Sequence, residues 1–185
     1  GKNRQLQCCT ITDSPRFTYR GLHVDVSRHF RSKEFLMKQM DAMALLKMNK
    51  MHLHLTNGAG WRIEIDRYPR LTEFAAWRPE RKWMDWNQAG MRYCERTTPS
   101  AYGGYYTKED IAEILEYAKA RHITVIPDIE MPGHSEEVLA TYPELSCSGK
   151  AYVNSDYCIG KEETFQFIEN VLTEVMAVSY THLRA

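Results

Sequence analysis

Three short segments of this chain alternate apolar and polar residues with a period of two, and turn or helix signals follow each of them. In residues 20–26, Leu22, Val24 and Val26 alternate with His23 and Asp25. In residues 50–56, Met51, Leu53 and Leu55 face one way and His52, His54 and Thr56 the other. In residues 122–130, Thr124, Ile126, Asp128 and Glu130 share one face. Between and after these lie helical stripes. Ser32 is placed to cap a helix running through Met48, with Leu36, Met40, Met43 and Ala44 on its apolar side. Thr107-Lys108-Glu109-Asp110 reads as a capping box, followed by Ile111, Ile114, Leu115 and Ala118. A third helix is predicted from Glu162 to Ala177, with Ile168, Val171, Leu172 and Val175 as its stripe. Strands alternating with helices imply parallel pairing through right-handed crossovers, an α/β class. Central strands of open parallel sheets are apolar on both faces. These strands instead carry His, Asp, Thr and Glu towards their C-terminal ends, as barrel strands do when they supply an active-site mouth. Of the two α/β architectures that compete, an open doubly wound sheet and a (β/α)8 TIM barrel, the strands therefore favour the barrel.

The barrel reading makes length informative. The chain has 185 residues, and a complete barrel usually takes about 250. Its 24 basic and 24 acidic side chains cancel, which argues against a nucleic-acid partner or a polybasic membrane surface. No apolar run approaches the ~20 residues of a membrane span, and no apolar signal-peptide core follows Gly1. Residues 5–12 are a candidate strand at the end of a preceding element, closed by an Asp13-Ser14-Pro15 turn. Residues 61–106 form a long insertion that contains all four tryptophans, Trp61, Trp77, Trp83 and Trp86. A connection of that length in a compact domain is usually functional. The five cysteines show no CxxC or zinc spacing. Cys147 and Cys158 flank a polar loop and could pair in an oxidising compartment; the alternative is five free thiols.

Three groups of residues are candidates for chemistry. His52 and His54, two apart on a strand, share a face and suit either a metal or structural hydrogen bonding. The stretch from Pro127 to Ser135 places Asp128, Glu130 and His134 at a strand end, as site residues or as solvated turn charges. Arg20 precedes Gly21, and its rigid fork of donors suits sugar hydroxyls, carboxylates or a surface ion pair.

Taken in order, six motifs are more specific than any one. They are Pro15-Arg16-Phe17-x-Tyr19-Arg20-Gly21, Asp25-x-Ser27-Arg28-His29-Phe30, His52-Leu53-His54-Leu55-Thr56, Gly60-Trp61-Arg62-Ile63-Glu64-Ile65, Tyr102-Gly103-Gly104-Tyr105-Tyr106-Thr107 and Pro132-Gly133-His134-Ser135. The series resembles the catalytic domain of the β-N-acetylhexosaminidases, glycoside hydrolase family 20, over about residues 10–177. The resemblance implies a (β/α)8 barrel that removes terminal β-linked N-acetylglucosamine or N-acetylgalactosamine with retention. The substrate's own acetamido oxygen is the nucleophile in that family, an exception to the two-carboxylate scheme. It implies no metal and no cofactor, and a partner that is a glycan ending in an N-acetylhexosamine. It assigns Arg20 to the terminal sugar's hydroxyls, His134 to support of the catalytic Glu, and Glu130 to a position beside the site.

Two departures from the family pattern matter. The family has Asp after His-x-His-x-Thr, and this chain has Asn57; the shape is kept and the charge that would stabilise an imidazolium at His134 is lost. The family's catalytic Asp-Glu pair follows the next strand, and no Asp-Glu dipeptide occurs in this sequence. The expected organisation is therefore residues 1–15 as the end of a preceding domain or a linker, and 16–177 as the first part of the barrel. Residues 178–185 read as a non-native tail resembling translated sequencing adapter. The chain alone is expected to be inactive, and the parent protein to be periplasmic or secreted. The rival readings are a non-catalytic carbohydrate-binding relative, favoured by Asn57, and a metal-dependent barrel hydrolase using His52, His54 and His134.

Overall fold

The structure, a computed structural model, describes residues 8–180. Its elements in chain order are β1 (Gly21–Asp25), α1 (Lys33–Leu45), β2 (Lys50–His54), β3 (Thr56–Asn57), β4 (Gly60–Trp61), α2 (Arg70–Glu73), β5 (Trp77–Arg78), α3 (Trp83–Gln88), β6 (Tyr102–Gly103), α4 (Lys108–Lys119), β7 (Thr124–Asp128), α5 (Glu136–Thr141), a 3-10 turn (Pro143–Leu145) and α6 (Glu162–Tyr180). The three period-two segments form one parallel sheet in the order β1-β2-β7. Leu22 pairs with Met51 and Val24 with Leu53, while Met51 and Leu53 pair in turn with Val125 and Pro127. This apolar face packs under α1, α4 and α6 through Leu36, Met40, Met43, Ile111, Ile114, Phe167, Val171 and Val175. The other face carries His23, His52 and Ile126 in one row and Asp25, His54 and Asp128 in the next.

Helix ends and faces differ from the sequence reading where local backbone decides them. Ser32 is the N-cap of α1, but its side chain does not cap the backbone. The helix stops at Leu45 rather than Met48 because Lys47 turns left-handed at φ 55, and the Met48 amide closes back on the Met43 carbonyl. The Thr107 capping box is present in both directions. In α6, Val171 and Val175 face the core as predicted and Ile168 packs against it, while Phe167 joins the stripe and Leu172 is exposed. Residues 178–180 continue α6, and the rest of the predicted tail lies outside the described residues. Of the predicted strand at 5–12, residues 8–12 carry no regular structure and the remainder lies outside the described residues.

The long insertion is organised rather than a bare loop. The β3-β4 pair leads into it, and with the β5-β6 pair and the short helices α2 and α3 it buries Trp61 and Trp86, while Trp83 stays exposed. Cys147 and Cys158 form a disulfide across 11 residues, whereas Cys8, Cys9 and Cys94 are free. The disulfide resolves the alternatives left open by the sequence. By loop-closure entropy it contributes about 2–3 kcal/mol. Substituting both cysteines with Ser is therefore expected to lower the melting temperature by about 4–12 °C. The same substitution should expose residues 148–157 to protease, and calorimetry with timed proteolysis checks both.

Candidate active site

Parallel strands deliver all their C-terminal ends to one edge of the sheet, and there the polar row is assembled. Asp25, His54 and Asp128 stand side by side in register. Asp128 Oδ2 accepts hydrogen bonds from His52 Nε2 at 2.8 Å and from His54 Nδ1 at 2.6 Å. Burial pushes the Asp128 carboxyl up, and the bonds from His54 and His52 outweigh it, leaving the group below the ordinary carboxylate range. With Nδ1 of His54 engaged as a donor, its Nε2 is left as an acceptor. Asn57 Nδ2 lies 3.3 Å from that nitrogen and 3.3 Å from His134 Nδ1. One buried amide thus bridges two imidazoles, donating to both.

His134 comes from the turn between β7 and α5, at φ 52 after the cis Met131–Pro132 bond. The disulfide-closed loop holds this turn. The Ser135 amide donates to the Ser155 carbonyl at 2.8 Å, and the Tyr157 amide to the Pro132 carbonyl at 2.9 Å. Glu130 Oε1 stands 3.5 Å from His134 Nδ1, and Oε2 stands 3.9 Å from His54 Nδ1. The Glu130 amide is anchored by the buried Thr56 hydroxyl at 2.8 Å. Asn57, His134 and Glu130, expected together from the sequence, are therefore brought together at the barrel-mouth end.

Arg20 is not among them, and its expected role at the sugar needs correction. It precedes β1, so it lies at the opposite end of the sheet from Asp25, His54 and Asp128. Its guanidinium is spent on backbone, donating from Nε to the Lys47 carbonyl at 2.6 Å and from Nη1 to the Phe17 carbonyl at 2.5 Å. Arg28, beyond the other end of β1, is the guanidinium at the mouth. It is half-exposed and ion-paired with Asp25. Strand direction was a signal for this, because a residue entering a barrel strand lies at the bottom and one leaving it at the top.

Sequence reasoning also gave no role to Arg62, which is fully buried. It donates to the carbonyls of Val26, Ser27, Ala59, Ala76 and Gly104. Burial is the main cause that lowers it to about 10, with Arg78 adding repulsion. The guanidinium fills the space a Cβ on Gly60 would need, and Gly60 adopts φ +152. Ser27 Oγ completes the brace, its single O–H shared between the carbonyls of Asn57 at 3.1 Å and Gly60 at 2.8 Å. A lone Arg between Trp61 and Ile63 in an apolar run was the available clue. Glu137 was missed as well. It is buried, its Oε2 has no hydrogen-bond partner among the described residues, and burial raises its carboxyl to about 8.

The metal reading fares differently. Among the described residues, the group with ligand geometry is His23, His54 and Asp128, whose donor atoms lie within 4.8 Å of one another. Tetrahedral ligands about 2.1 Å from zinc stand only about 3.4 Å apart. His52 and His134, named with His54 in the metal-dependent alternative, do not join this group. The face is built as a hydrogen-bonded ladder on Asp128.

Comparison with known proteins places this arrangement. The family description "Glycosyl hydrolase family 20, catalytic domain" matches residues 17–184. A beta-hexosaminidase of Porphyromonas gingivalis is 43% identical over 184 residues, which is 94% of this chain and 22% of that protein. An N,N'-diacetylchitobiase of Vibrio harveyi is 44% identical over 155 residues, 80% of this chain and 17% of that protein. The chain thus spans less than a quarter of the length of these two relatives. Among solved structures, a Vibrio harveyi exo beta-N-acetylglucosaminidase in complex with N-acetylglucosamine superimposes with a TM-score of 0.77. It is 35% identical, over 93% of this chain and 27% of that one. A Streptomyces plicatus N-acetyl-beta-hexosaminidase in complex with Thio-NAglucal gives 0.72 at 36% identity, over 90% and 32%. The three parallel strands and their covering helices correspond to part of the barrel of such enzymes, and the chain belongs to glycosyl hydrolase family 20.

Proposed function

We propose that the protein containing this chain is an exo-acting, retaining β-N-acetylhexosaminidase, and that this chain supplies the histidine and amide side of its site. The observation that carries the reading is Asn57 spanning His54 and His134, with Glu130 alongside, at the C-terminal edge of a parallel sheet. In this reading the substrate is a glycan ending in β-linked N-acetylglucosamine or N-acetylgalactosamine. Its acetamido oxygen attacks the anomeric carbon. His134, held by Asn57, positions the carboxylic acid that protonates the leaving oxygen. Arg28, rather than Arg20, is the guanidinium that meets sugar hydroxyls, because it is the one at the mouth. No metal or other cofactor takes part. The Cys147–Cys158 disulfide supports a periplasmic or extracellular setting, and no helix among the described residues is long and apolar enough to cross a membrane.

With no Asp-Glu dipeptide in its sequence, the 185-residue chain alone is expected to release no nitrophenol from nitrophenyl N-acetyl-β-glucosaminide. A hybrid in which residues 17–177 replace the matching segment of the Porphyromonas gingivalis relative should be active. In that hybrid, His134→Ala should lower kcat by about 10²–10⁴-fold. A folded hybrid with no activity, or an undiminished His134→Ala variant, defeats the assignment. A folded but inactive hybrid would favour the carbohydrate-binding alternative.

A further inference from the structure

A groove of about 820 Å³ is lined by Arg28, His29, Arg81, Lys82, Trp83 and Met84. That size falls in the range of ligand sites, and none of the lining side chains is a carboxylate. Arg28 is ion-paired with Asp25. Among the described residues, no carboxylate lies within ion-pair distance of Arg81 or Lys82. Glu80, their neighbour in sequence, has its Oε2 buried. Trp83 and Met84 are 42% and 61% exposed beside these cations.

The groove is held from beneath. Buried Arg78 donates to the carbonyl of Arg28 at 2.9 Å and to that of Arg81 at 3.2 Å, tying the two walls together. Tyr102 underlies them, with the Arg81 guanidinium 5.8 Å from its ring. The Tyr102 hydroxyl lies 2.7 Å from His29 Nδ1. Burial lowers the His29 imidazole from its ordinary value, and Arg31, Arg81, Arg78 and Arg62 lower it further, a local sign of positive potential in a chain of zero net charge. The wall is also continuous with the candidate active site, since Ser27, next to Arg28, is bonded to the Asn57 carbonyl.

We propose that this groove is a subsite for an anionic group, a sulfate ester or a uronate carboxylate, on the glycan whose terminal sugar meets Arg28. This rests on the hexosaminidase reading for its ligand being a glycan. Trp83 offers an aromatic face to a sugar ring, and Arg81 and Lys82 offer unneutralised donors to the anion. A neutral glycan would leave those two charges unanswered.

Trp83 also provides the readout. The 185-residue chain is titrated, following tryptophan fluorescence, with four probes: a sulfated N-acetylglucosaminide, an N-acetylglucosamine–glucuronate disaccharide, the neutral N-acetylglucosamine disaccharide and sodium sulfate. The charged sugars are expected to bind about tenfold tighter than the neutral one, with the difference shrinking as salt rises. Whichever charged sugar shows the larger gain identifies the source of the anion. The exposed double substitution Arg81→Ser/Lys82→Ser should remove the difference. Equal binding of neutral and charged sugars overturns the proposal. So does sodium sulfate binding as tightly as the sulfated sugar, or a difference that survives the double substitution. The hybrid gives a second readout that does not depend on the chain folding alone. Its kcat/KM ratio for charged over neutral substrate should fall about tenfold in the double variant, and an unchanged ratio overturns the proposal. A hybrid that is inactive on neutral substrate but whose parent chain still discriminates by charge would sink the hexosaminidase reading and leave the groove standing.

Discussion

Asn57→Asp in the hybrid enzyme is expected to raise kcat by on the order of 10²-fold while leaving KM within about threefold. The expectation follows from the direction of the hydrogen bonds. The Asn57 amide donates to His54 Nε2 and His134 Nδ1, both at 3.3 Å. A donor at that position pairs with His134 Nδ1 as an acceptor. An aspartate has the same shape and only acceptors. It would turn the His134 Nδ1–H inward and stabilise the positive charge the ring takes as a proton moves at the neighbouring acid. In a Ser-His-Asp triad, exchanging the supporting carboxylate for an amide costs about 10⁴-fold in kcat. A smaller factor is expected here, because His134 positions an acid instead of deprotonating a nucleophile. KM should hold, since residue 57 touches imidazoles and backbone rather than sugar. An unchanged or lower kcat would mean that the amide is the functional group at this position. Steady-state kinetics on the hybrid and its Asn57→Asp variant separate the two outcomes.

What could be read beforehand follows a physical boundary. The period-two pattern of Leu22-His23-Val24-Asp25 and Met51-His52-Leu53-His54 is a local consequence of a half-apolar sheet, and the structure pairs these residues in register. The Thr107-to-Asp110 capping box is equally local and equally present. The end of α1 was not legible, because it depends on Lys47 adopting a left-handed backbone that its residue type does not favour. The reading of α6 missed Phe167, because its aromatic partners Tyr68 and Tyr157 come from segments distant in sequence. Arg20 and Arg28 are both arginines flanking one strand, and only the direction of that strand relative to the site tells them apart. Asn57, His134 and Glu130 were named from motifs. That one amide joins His54 to His134 emerges only from folding residues 77 positions apart onto one edge.

Arg62→Met is expected to destabilise the protein by at least about 3 kcal/mol, a loss of roughly 6–12 °C in melting temperature. Methionine fits the stem's volume and removes a buried charge, which alone would favour the variant. The charge, however, is not idle. Its donors satisfy carbonyls at Val26, Ser27, Ala59, Ala76 and Gly104, at distances from 2.5 to 3.2 Å. Those carbonyls belong to the exit of β1, the Asn57–Gly60 turn, the approach to β5 and the end of β6. Each buried carbonyl left without a partner costs about 1–3 kcal/mol, so even partial rehydration leaves a net loss. Arg62→Lys should recover less than half of it, because an ammonium has three donors on a point and cannot fan across five acceptors. The damage should also be local to function. Ser27 and Ala59 flank the turn that presents Asn57, so releasing them frees the amide that aims His134. Thermal melts should therefore be accompanied by new proteolytic sites within residues 57–60, 76–78 and 102–104, and by loss of kcat in the hybrid beyond what the unfolded fraction explains. A drop in melting temperature under about 2 °C with intact proteolytic resistance would mean that the carbonyls find other donors and that Arg62 is not the brace of the mouth.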